Sequence, residues 1–274
     1  MIGVIPAAGA GTRLLPFTRS SPKELAYYGP KPVIEWVLGS LKKAGVNRSL
    51  LVVGSKKGAM MDYVGDGSLF GVRVSYIQQE VQKGLGHAIL CAKPEIDDLK
   101  EDNFVVFLGD SVIIPERNVS QLIEKHNEKK PICSILLTPV DDPESYGAAL
   151  LDGDRIIDIF EKPKTQEEKE KYKINGKWYV VAGVYTFSKR IFEYISTTMP
   201  GRNNEIQITD AIREAIKSGE TVLAHVMADN DKRIDIGSWD YLQDLKDYWS
   251  SVTDEELKKI IAERKRLMES LKPK

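Results

Sequence analysis

The chain opens with the stretch I-G-V-I-P-A-A-G-A-G-T-R, Ile2 to Arg13. Its apolar beginning, Ile2–Ile5, predicts a buried strand, and the residues that follow are small. A strand that ends in small residues exposes backbone N–H groups, and such groups bind phosphate oxygens. Arg13 and, farther along the chain, Lys23 add positive charge. The stretch therefore predicts a site for the phosphates of a nucleoside triphosphate.

This loop differs from the two best-known phosphate-binding loops. A P-loop needs G-x-x-x-x-G-K-[ST], which the sequence lacks, and a dinucleotide fingerprint needs a third glycine where this chain has Leu14. The chain instead carries G-x-G-T-R-x-x-P-x-T-x-x-x-P-K from Gly9 to Lys23. A lone Gly-Ala-Gly is more often a structural turn, and that alternative stays open, but the longer pattern favours a phosphate site.

The composition disfavours several other classes of protein. The chain has 274 residues, enough for one large or two small domains, and a net charge of −1, which provides no basic field for nucleic acid. Its two cysteines, Cys91 and Cys133, lie outside any C-x-x-C pattern, which disfavours a disulfide framework or a zinc site and fits a reducing cytoplasm. We expect no signal peptide, and no membrane span, since no window approaches the roughly 18 apolar residues that a span needs.

Strand-like and helix-like segments alternate over the first half of the chain. The predicted strands are Ile2–Ile5, Ser49–Val53, Val72–Ile77, Phe104–Leu108 and Ile132–Thr138, and the predicted helices are Pro32–Ala44, Gly86–Ala92 and Val119–Asn127. Continuous apolar strands that alternate with helices predict an α/β fold with a mostly parallel sheet flanked by helices. Such sheets bind ligands beyond the carboxyl ends of their strands, where both the phosphate loop and Asp110 lie.

The pattern changes after about residue 140. Three predicted strands, Tyr146–Leu151, Arg155–Phe160 and Trp178–Phe187, indicate an inserted, partly antiparallel region of about residues 140–205 laid over the sheet edge. The charged run Lys164–Lys173 is expected to be a solvated loop. Helices are predicted again later, the last at Gly237–Trp249, and residues 1–250 are expected to form one domain.

The tail, residues 251–274, is predicted to form a separate amphipathic helix. Thr253 and Glu256 form a capping box. The apolar residues that follow share one face at helical spacing: Leu257, Ile260, Ile261, Met268 and Leu271. This face either packs on its own domain or docks on a neighbouring subunit, in which case the protein is a homo-oligomer.

Two carboxylates are the candidate metal ligands. Asp110 ends a predicted buried strand, and Asp235 lies just before a predicted helix. Two carboxylates together with substrate phosphates suit Mg²⁺, which takes few protein ligands and keeps several waters. The alternative readings are a turn residue for Asp110 and a helix N-cap for Asp235.

Other polar residues suggest places for a base and a sugar. The carboxamide of Gln79 can pair with the N3–H and O4 edge of uracil or thymine, and Gly84 would let the backbone approach that base. Glu161 can hold sugar hydroxyls, and Lys162 a sugar phosphate. Alternatively these residues are an ordinary surface glutamine, a turn and a charged loop edge, and Glu205 is expected to serve in helix capping.

The sequence gives little support for catalysis by a side-chain nucleophile. The sequence has no G-x-S-x-G motif, and its three histidines are scattered. His87 lies near the proposed base site and is expected to be a packed or capping residue, whereas His126 and His225 are expected at the surface.

With these motifs the chain resembles the sugar-1-phosphate nucleotidylyltransferases, and most of all the bacterial-type UTP–glucose-1-phosphate uridylyltransferases. The likeness runs from Met1 to about Tyr248. Five motifs in the family's order carry it: Gly9–Arg13, Ser21–Glu24, Lys83–Ala88, Glu161–Pro163 and Glu205–Asp210.

The resemblance implies a Rossmann-like nucleotide-binding domain with an inserted sugar-binding β region. It implies that Ala8, Gly9, Gly11, Thr12, Gln79 and Gly84 bind the nucleotide. It implies that Arg13, Lys23 and Lys162 are catalytic, that Gly147, Glu161 and Gly183 face the sugar phosphate, and that Asp110 and Asp235 hold Mg²⁺. The implied reaction is in-line attack of glucose 1-phosphate on the α-phosphorus of UTP, with release of pyrophosphate.

Two segments resemble a neighbouring branch of the family instead. Gly109–Ser111 and Asp235–Gly237 are more similar to the glucose-1-phosphate thymidylyltransferases, so dTTP is the alternative nucleotide. A non-catalytic nucleotide-sugar-binding protein is a second alternative, although the expected catalytic charges are all present. A dinucleotide-binding dehydrogenase is disfavoured, because the third loop glycine is missing.

Overall fold

The computed structural model describes residues 1–201 and 204–270. The strands in this part of the chain are β1 Ile2–Ala7, β2 Tyr27–Tyr28, β3 Lys31–Pro32, β4 Arg48–Val53, β5 Arg73–Gln78, β6 Asn103–Phe107, β7 Ser111–Ile114, β8 Cys133–Val140, β9 Gly147–Asp152, β10 Arg155–Glu161, β11 Lys173–Ile174, β12 Lys177–Ser188, β13 Val222–Val226 and β14 Lys232–Asp235. The α-helices are α1 Val33–Lys43, α2 Lys57–Val64, α3 Gly84–Cys91, α4 Lys93–Asp97, α5 Arg117–Lys129, α6 Gln166–Lys171, α7 Ile191–Thr197, α8 Ile208–Lys217, α9 Tyr241–Ser251 and α10 Asp254–Ser270.

One large sheet forms the centre of the molecule. Its strand order is β5-β4-β1-β6-β12-β8-β13-β10-β9. β1 runs parallel to both β4 and β6, β4 runs parallel to β5, and β13 runs parallel to β8. Residues of α1 and α5 pack in the apolar core on one face, and residues of α3, α7 and α8 pack in the core on the other. The predicted α/β class, with a sheet flanked by helices, is therefore confirmed.

One strand of the inserted region lies in the middle of this sheet and not over its edge. β12 pairs antiparallel with β6 on one side and with β8 on the other. Its buried residues from Val180 to Phe187 explain this central position. The register against β8 shifts between Val181 and Tyr185, around Gly183, whose φ is +89°. The bulge lets the N–H of Leu108 donate to the carbonyl of Gly183 at 2.9 Å, so β12 reaches the carboxyl end of β6.

A second, two-stranded sheet was not predicted from the sequence. β7 pairs antiparallel with β14, and this pairing places Ser111 opposite Asp235. The N–H of Ile236 also donates to the carbonyl of Asp110 at 2.9 Å. The interpretation of Asp235 as a helix N-cap is therefore wrong, because Asp235 ends a strand and the next helix begins only at Tyr241.

Two further expectations need correction. The charged run Lys164–Lys173 contains the short helix α6, because Thr165 and Glu168 form a reciprocal capping box with N···O distances of 3.1 and 3.0 Å. His126 is fully buried, with Nδ1 3.1 Å from Ser134 Oγ, and burial lowers its pKa to about 4.

The tail helix α10 contacts its own domain through a charged residue. Arg264 donates two hydrogen bonds to the buried carboxylate of Glu35, at 2.8 and 3.1 Å, and Tyr63 donates a third. Three members of the predicted apolar face stay exposed: Leu257, Ile261 and Met268. Leu271 lies outside the described residues. None of the helices within residues 1–201 and 204–270 combines the length and the apolar composition that a bilayer crossing requires.

Candidate functional site

The loop after β1 is shaped by one glycine. Gly11 has a φ of +65°, and a Cβ on it would lie 2.8 Å from the Cγ2 of Thr18. The hydroxyl of Thr18 donates to the carbonyl of Gly11 at 2.7 Å and holds the turn. A Cβ on Gly9 would contact the end of the Lys23 side chain at 3.4 Å. The loop backbone and the ammonium of Lys23 are thus neighbours, as a phosphate site requires.

Lys23 forms an ion pair with Asp110 at the carboxyl end of β6. Burial lowers the pKa of Lys23, but the carboxylates of Asp110 and Glu24 outweigh it, and the net pKa is raised. Burial raises the pKa of Asp110, yet the ammonium of Lys23 outweighs burial and keeps that pKa below its usual range. At neutral pH this pair is therefore a fixed ammonium beside a fixed carboxylate.

Asp235 lies beside this ion pair. Burial and then the charge of Asp110 raise the pKa of Asp235, while Arg233 and Lys23 oppose the rise. Arg233 donates from Nη2 to Asp235 Oδ2 at 3.0 Å. Arg13 also lies close, because a Cβ on Gly237 would be 2.9 Å from its Nη2 and 2.9 Å from Asp235 Oδ1. Two neighbouring carboxylates repel each other when both are ionised, and a cation bound between them offsets that repulsion.

The donor set fits a hard divalent cation better than zinc. Within the described ranges no three His, Cys, Asp or Glu side chains come together as metal ligands. The carboxylate oxygens of Asp110 and Asp235 are of the type that such a cation prefers, and bound phosphates would add more oxygens. Mg²⁺ is held in this way, by one or two carboxylates together with phosphates and waters.

A cleft of about 900 Å³ runs from the phosphate loop to the inserted β region. It is lined by eight of the predicted site residues, namely Thr12, Arg13, Asp110, Gly147, Glu161, Lys162, Gly183 and Asp235. Ala8 and Gly9 line a much smaller pocket on the other side of the loop, together with Lys56 and Lys57. The phosphate loop therefore borders both spaces, and one cleft brings the predicted metal ligands and the predicted sugar residues together.

The far end of the cleft is built from β9 and β10. A Cβ on Gly147 would lie 2.8 Å from Thr209 Cγ2 and 3.3 Å from Glu161 Oε2, so only glycine fits there. Thr209 donates to Glu161 Oε2 at 3.0 Å and fixes that carboxylate. Lys162 has a φ of +52°, and its Nζ lies 3.4 Å from Glu161 Oε1. This end of the cleft presents an ammonium and a positioned carboxylate, which suits a phosphorylated polyol.

The predicted base residues lie next to the cleft. The amide nitrogen of Gln79 is 3.2 Å from the carbonyl of Gly84 and 2.9 Å from His87 Nδ1. A Cβ on Gly84, whose φ is +88°, would lie 2.8 Å from the Cβ of Glu205. Glu205 itself lines the cleft and accepts a hydrogen bond from Gln207, so the expectation that it caps a helix is wrong.

Sequence reasoning missed two charged residues of this site. The side chain of Arg233 is 8 % exposed, its guanidinium carbon lies 4.4 Å from the centre of the Tyr146 ring, and its Nε has no partner among the described residues. Its spacing from Asp235 was the available signal, because residues i and i+2 of a strand share a face. Glu24 is fully buried beside Lys23, and burial raises its pKa to about 7.

Comparison with known proteins relates this arrangement to a family. The chain is 34% identical over 229 residues to a glucose-1-phosphate thymidylyltransferase of Streptomyces antibioticus, a match that covers 83% of this chain and 60% of the relative. It is 33% identical over 255 residues to a Methanocaldococcus jannaschii protein with the provisional name UTP–glucose-1-phosphate uridylyltransferase, covering 85% and 87%.

A solved structure shares the fold. The structure of a UDP-glucose pyrophosphorylase complexed with UDP-glucose superposes with a TM-score of 0.79 and 30% identity, covering 92% of this chain and 99% of the other. The chain spans about 60% of the length of the first three curated relatives that it matches. The sequence profile described as "Nucleotidyl transferase" matches residues 2–252, and the chain belongs to this nucleotidyl transferase family.

Proposed function

We propose that the protein transfers a uridylyl group from UTP to glucose 1-phosphate, giving UDP-glucose and pyrophosphate. The observation that carries this proposal is the single cleft, which joins the phosphate loop, the Asp110–Asp235 pair and the Glu161–Lys162 end. A sugar 1-phosphate at the far end and a nucleoside triphosphate at the loop would meet between them. The names of the relatives support both substrate classes.

The chain's own residues can position the reacting groups. A phosphate oxygen of the sugar 1-phosphate forms a bond to the α-phosphorus, and the bond from that phosphorus to the bridging oxygen breaks. Pyrophosphate leaves with the electron pair. The attacking oxygen is already an anion, so no side chain has to remove a proton. Lys162 holds the attacking phosphate, while Arg13 and Lys23 face the triphosphate, so catalysis is positioning and charge stabilisation.

Members of this family generally use a divalent metal. We propose Mg²⁺ for this protein, held by Asp110 and Asp235, since two partly buried carboxylates with few other protein ligands match its coordination. A bound Mg²⁺ would neutralise charge on the α-phosphate. Lys23 contacts Asp110 and Arg233 donates to Asp235, so the two positive charges favour the ionised form of both carboxylates and orient them for this role.

The nucleotide has one competing assignment. The relative from Streptomyces antibioticus is named a thymidylyltransferase, and residues 109–111 and 235–237 resemble that branch. Uracil and thymine differ by one methyl group, and a pocket gains only about 1–3 kcal/mol from such a group. A non-catalytic binding protein is disfavoured, because Arg13, Lys23 and Lys162 all accompany the two carboxylates.

Pyrophosphate release tests the proposal directly. The purified protein is given glucose 1-phosphate and Mg²⁺ with UTP or dTTP at matched low concentrations. Faster release with UTP supports the proposal, and faster release with dTTP moves the protein to the thymidylyltransferases. Release with neither leads to a panel of other sugar 1-phosphates, and failure of the whole panel leaves the non-catalytic alternative.

We further propose that the protein is a homo-oligomer in which the exposed face of α10 contacts a second copy. The apolar side chains of Leu257, Ile261 and Met268 are exposed in one chain. An apolar stripe along a helix is stabilised when a partner surface covers it, and the same face of a second copy would do so.

A reducing, cytoplasmic location is proposed on separate grounds, because Cys91 and Cys133 are unpaired. Cell fractionation with detection of the protein would test it, and recovery from an oxidising compartment would contradict it.

A further inference from the structure

Gln79 is almost fully enclosed at the end of β5. The residue is 5 % exposed, and its backbone N–H donates to the carbonyl of Val53 at 2.9 Å. One terminal atom of the carboxamide lies 3.2 Å from the carbonyl oxygen of Gly84. A carbonyl oxygen only accepts hydrogen bonds, so this atom must be the amide nitrogen.

The same nitrogen lies 2.9 Å from Nδ1 of His87, one turn into α3. A primary amide has two N–H donors, and Gly84 and His87 use both. His87 must therefore accept through Nδ1 and carry its proton on Nε2. The remaining atom of the carboxamide is Oε1, and no donor in residues 1–201 or 204–270 reaches it. The only group that Gln79 can offer a ligand is thus a hydrogen-bond acceptor.

We infer that His87 is a positioning residue that fixes Gln79 with its oxygen toward the nucleobase and so selects bases with an N3–H. This inference rests on the proposed function, since it takes the ligand of Gln79 to be a pyrimidine nucleotide. Uracil and thymine both present a donor at N3, which Oε1 can accept. Cytosine presents an unprotonated N3, whose lone pair would face that oxygen. The carboxamide thus reads N3–H alone and not the full N3–O4 edge that the sequence suggested.

Protonation of His87 would remove one of these two hydrogen bonds. A proton on Nδ1 would face the N–H of Gln79, and the carbonyl of Gly84 alone would then hold the carboxamide in place. Burial, and then the charge of Lys83, lower the pKa of His87, so the accepting form is present at pH 7. The thiol of Cys91, 3.9 Å from Nδ1, is the other titratable group at this ring.

The test measures binding of UTP and CTP without a sugar phosphate, by calorimetry, to the wild type and to His87→Ala. We expect the wild type to prefer UTP, and His87→Ala to reduce the UTP-to-CTP affinity ratio about tenfold, which is about 1.4 kcal/mol. His87→Gln, whose amide oxygen can accept, should restore part of the ratio. His225→Gln, a histidine change on β13, is the matched control and should leave the ratio unchanged. Thermal unfolding of each variant shows whether it is folded.

Each outcome bears on a different claim. An unchanged ratio in folded His87→Ala overturns the role of His87 while the proposed function stands. A wild type that binds neither nucleotide, or favours CTP, overturns the proposed function and this inference with it. If His87→Ala does not fold, His87→Leu, which keeps much of the side-chain volume but offers no acceptor, takes its place. A reduced UTP-to-CTP ratio in folded His87→Leu then supports the inference, and an unchanged ratio contradicts it. Unchanged kcat with raised KM for UTP in His87→Ala further separates positioning from catalysis.

Discussion

Lys23 and Asp110 form an ion pair although 87 positions separate them in the chain. Lys23 follows the phosphate loop after β1, and Asp110 follows the adjacent parallel strand β6. The pair therefore joins the two strand ends where the triphosphate and the metal are proposed to meet. Asp235 enters the same place through the β7–β14 pairing, which no periodicity in the sequence indicated.

Asp110→Asn is expected to abolish Mg²⁺-dependent pyrophosphate release and leave the fold intact. The amide keeps the shape of the side chain but provides one neutral oxygen where a carboxylate would bind the cation. Turnover over a range of Mg²⁺ concentrations and thermal unfolding are the two measurements. Asp240→Asn, also on the cleft but at its exposed side, is the control. An active Asp110→Asn protein would remove Asp110 from the metal site.

Lys162→Ala is expected to reduce turnover far more than it reduces affinity for UTP. Its ammonium lies at the sugar end of the cleft, so its charge acts on the attacking phosphate. Turnover with glucose 1-phosphate and direct binding of UTP separate the two effects. Lys164→Ala removes another exposed ammonium of the same cleft and should change neither. Equal losses of turnover and UTP affinity in Lys162→Ala would refute this role.

Arg233→Gln is expected to weaken metal binding about tenfold or more, because partners of ligating carboxylates contribute on that scale. The change removes the Nη2 donor at 3.0 Å from Asp235 and a positive charge that opposes the raised pKa of that carboxyl. A higher pKa means that Asp235 takes up its proton at higher pH, so activity should fail sooner as pH falls.

Binding of Mn²⁺ by electron paramagnetic resonance and the pH profile of turnover are the measurements for Arg233. Arg233→Lys keeps the charge and should recover part of both. Unchanged Mn²⁺ affinity in Arg233→Gln would show that Arg233 does not act through Asp235.

Glu24→Gln is expected to stabilise the protein at pH 8 and not at pH 4.5. Burial raises the pKa of Glu24 from 4.5 to about 7, with the charge of Lys23 opposing the rise. Between these values the folded protein holds a proton that the unfolded chain has lost, so stability falls as pH rises through this window. Glutamine does not titrate, and each pKa unit is about 1.4 kcal/mol, so the gain can reach about 3 kcal/mol.

Thermal unfolding from pH 4.5 to 8 checks the prediction for Glu24. Glu95→Gln, a substitution of an exposed glutamate on α4, should show no such trend. A difference between Glu24→Gln and the wild type that does not grow with pH would argue against a buried, protonated Glu24.

Local patterns predicted much of the fold from the sequence. The strand at Ile2–Ile5 and the helix at Pro32–Ala44 correspond to β1 and α1 to within two residues. A continuously buried strand appears in the sequence as an apolar run, and an amphipathic helix as a 3.6-residue periodicity. The central position of β12 in the sheet could not be predicted from such a pattern. A strand buried on both faces has the same composition at the middle of a sheet as in an insertion, and only pairing decides between them.

Candidate site residues are easiest to recognise in a sequence where the backbone geometry requires one residue type. A Cβ would collide at both Gly11 and Gly147, and Gly11 also stands in the motif Gly9–Arg13. Arg233 and Glu24 act through their tertiary neighbours Asp235 and Lys23, so their residue types alone did not mark them as part of the site. His87 was predicted to lie near the base as a packed or capping residue, because its partner Gln79 is eight positions away and lies outside α3.

The exposed face of α10 can be tested without disturbing its anchor. Truncation before Thr253 would also remove Arg264 and leave the buried carboxylate of Glu35 without its cation. The sharper variant replaces the exposed apolar residues Leu257, Ile261 and Met268 by glutamine.

Light scattering should show that this triple variant has the mass of a single 30.7 kDa chain, while the wild type is a multiple of it. Thermal unfolding should change little, since these side chains are exposed in one chain. Arg264→Met should keep the mass of the wild type, because the apolar face remains. It should lower the thermal stability, because the buried carboxylate of Glu35 without its cation costs about 1–3 kcal/mol or more. An unchanged mass in the triple variant would count against this helix as the contact between copies.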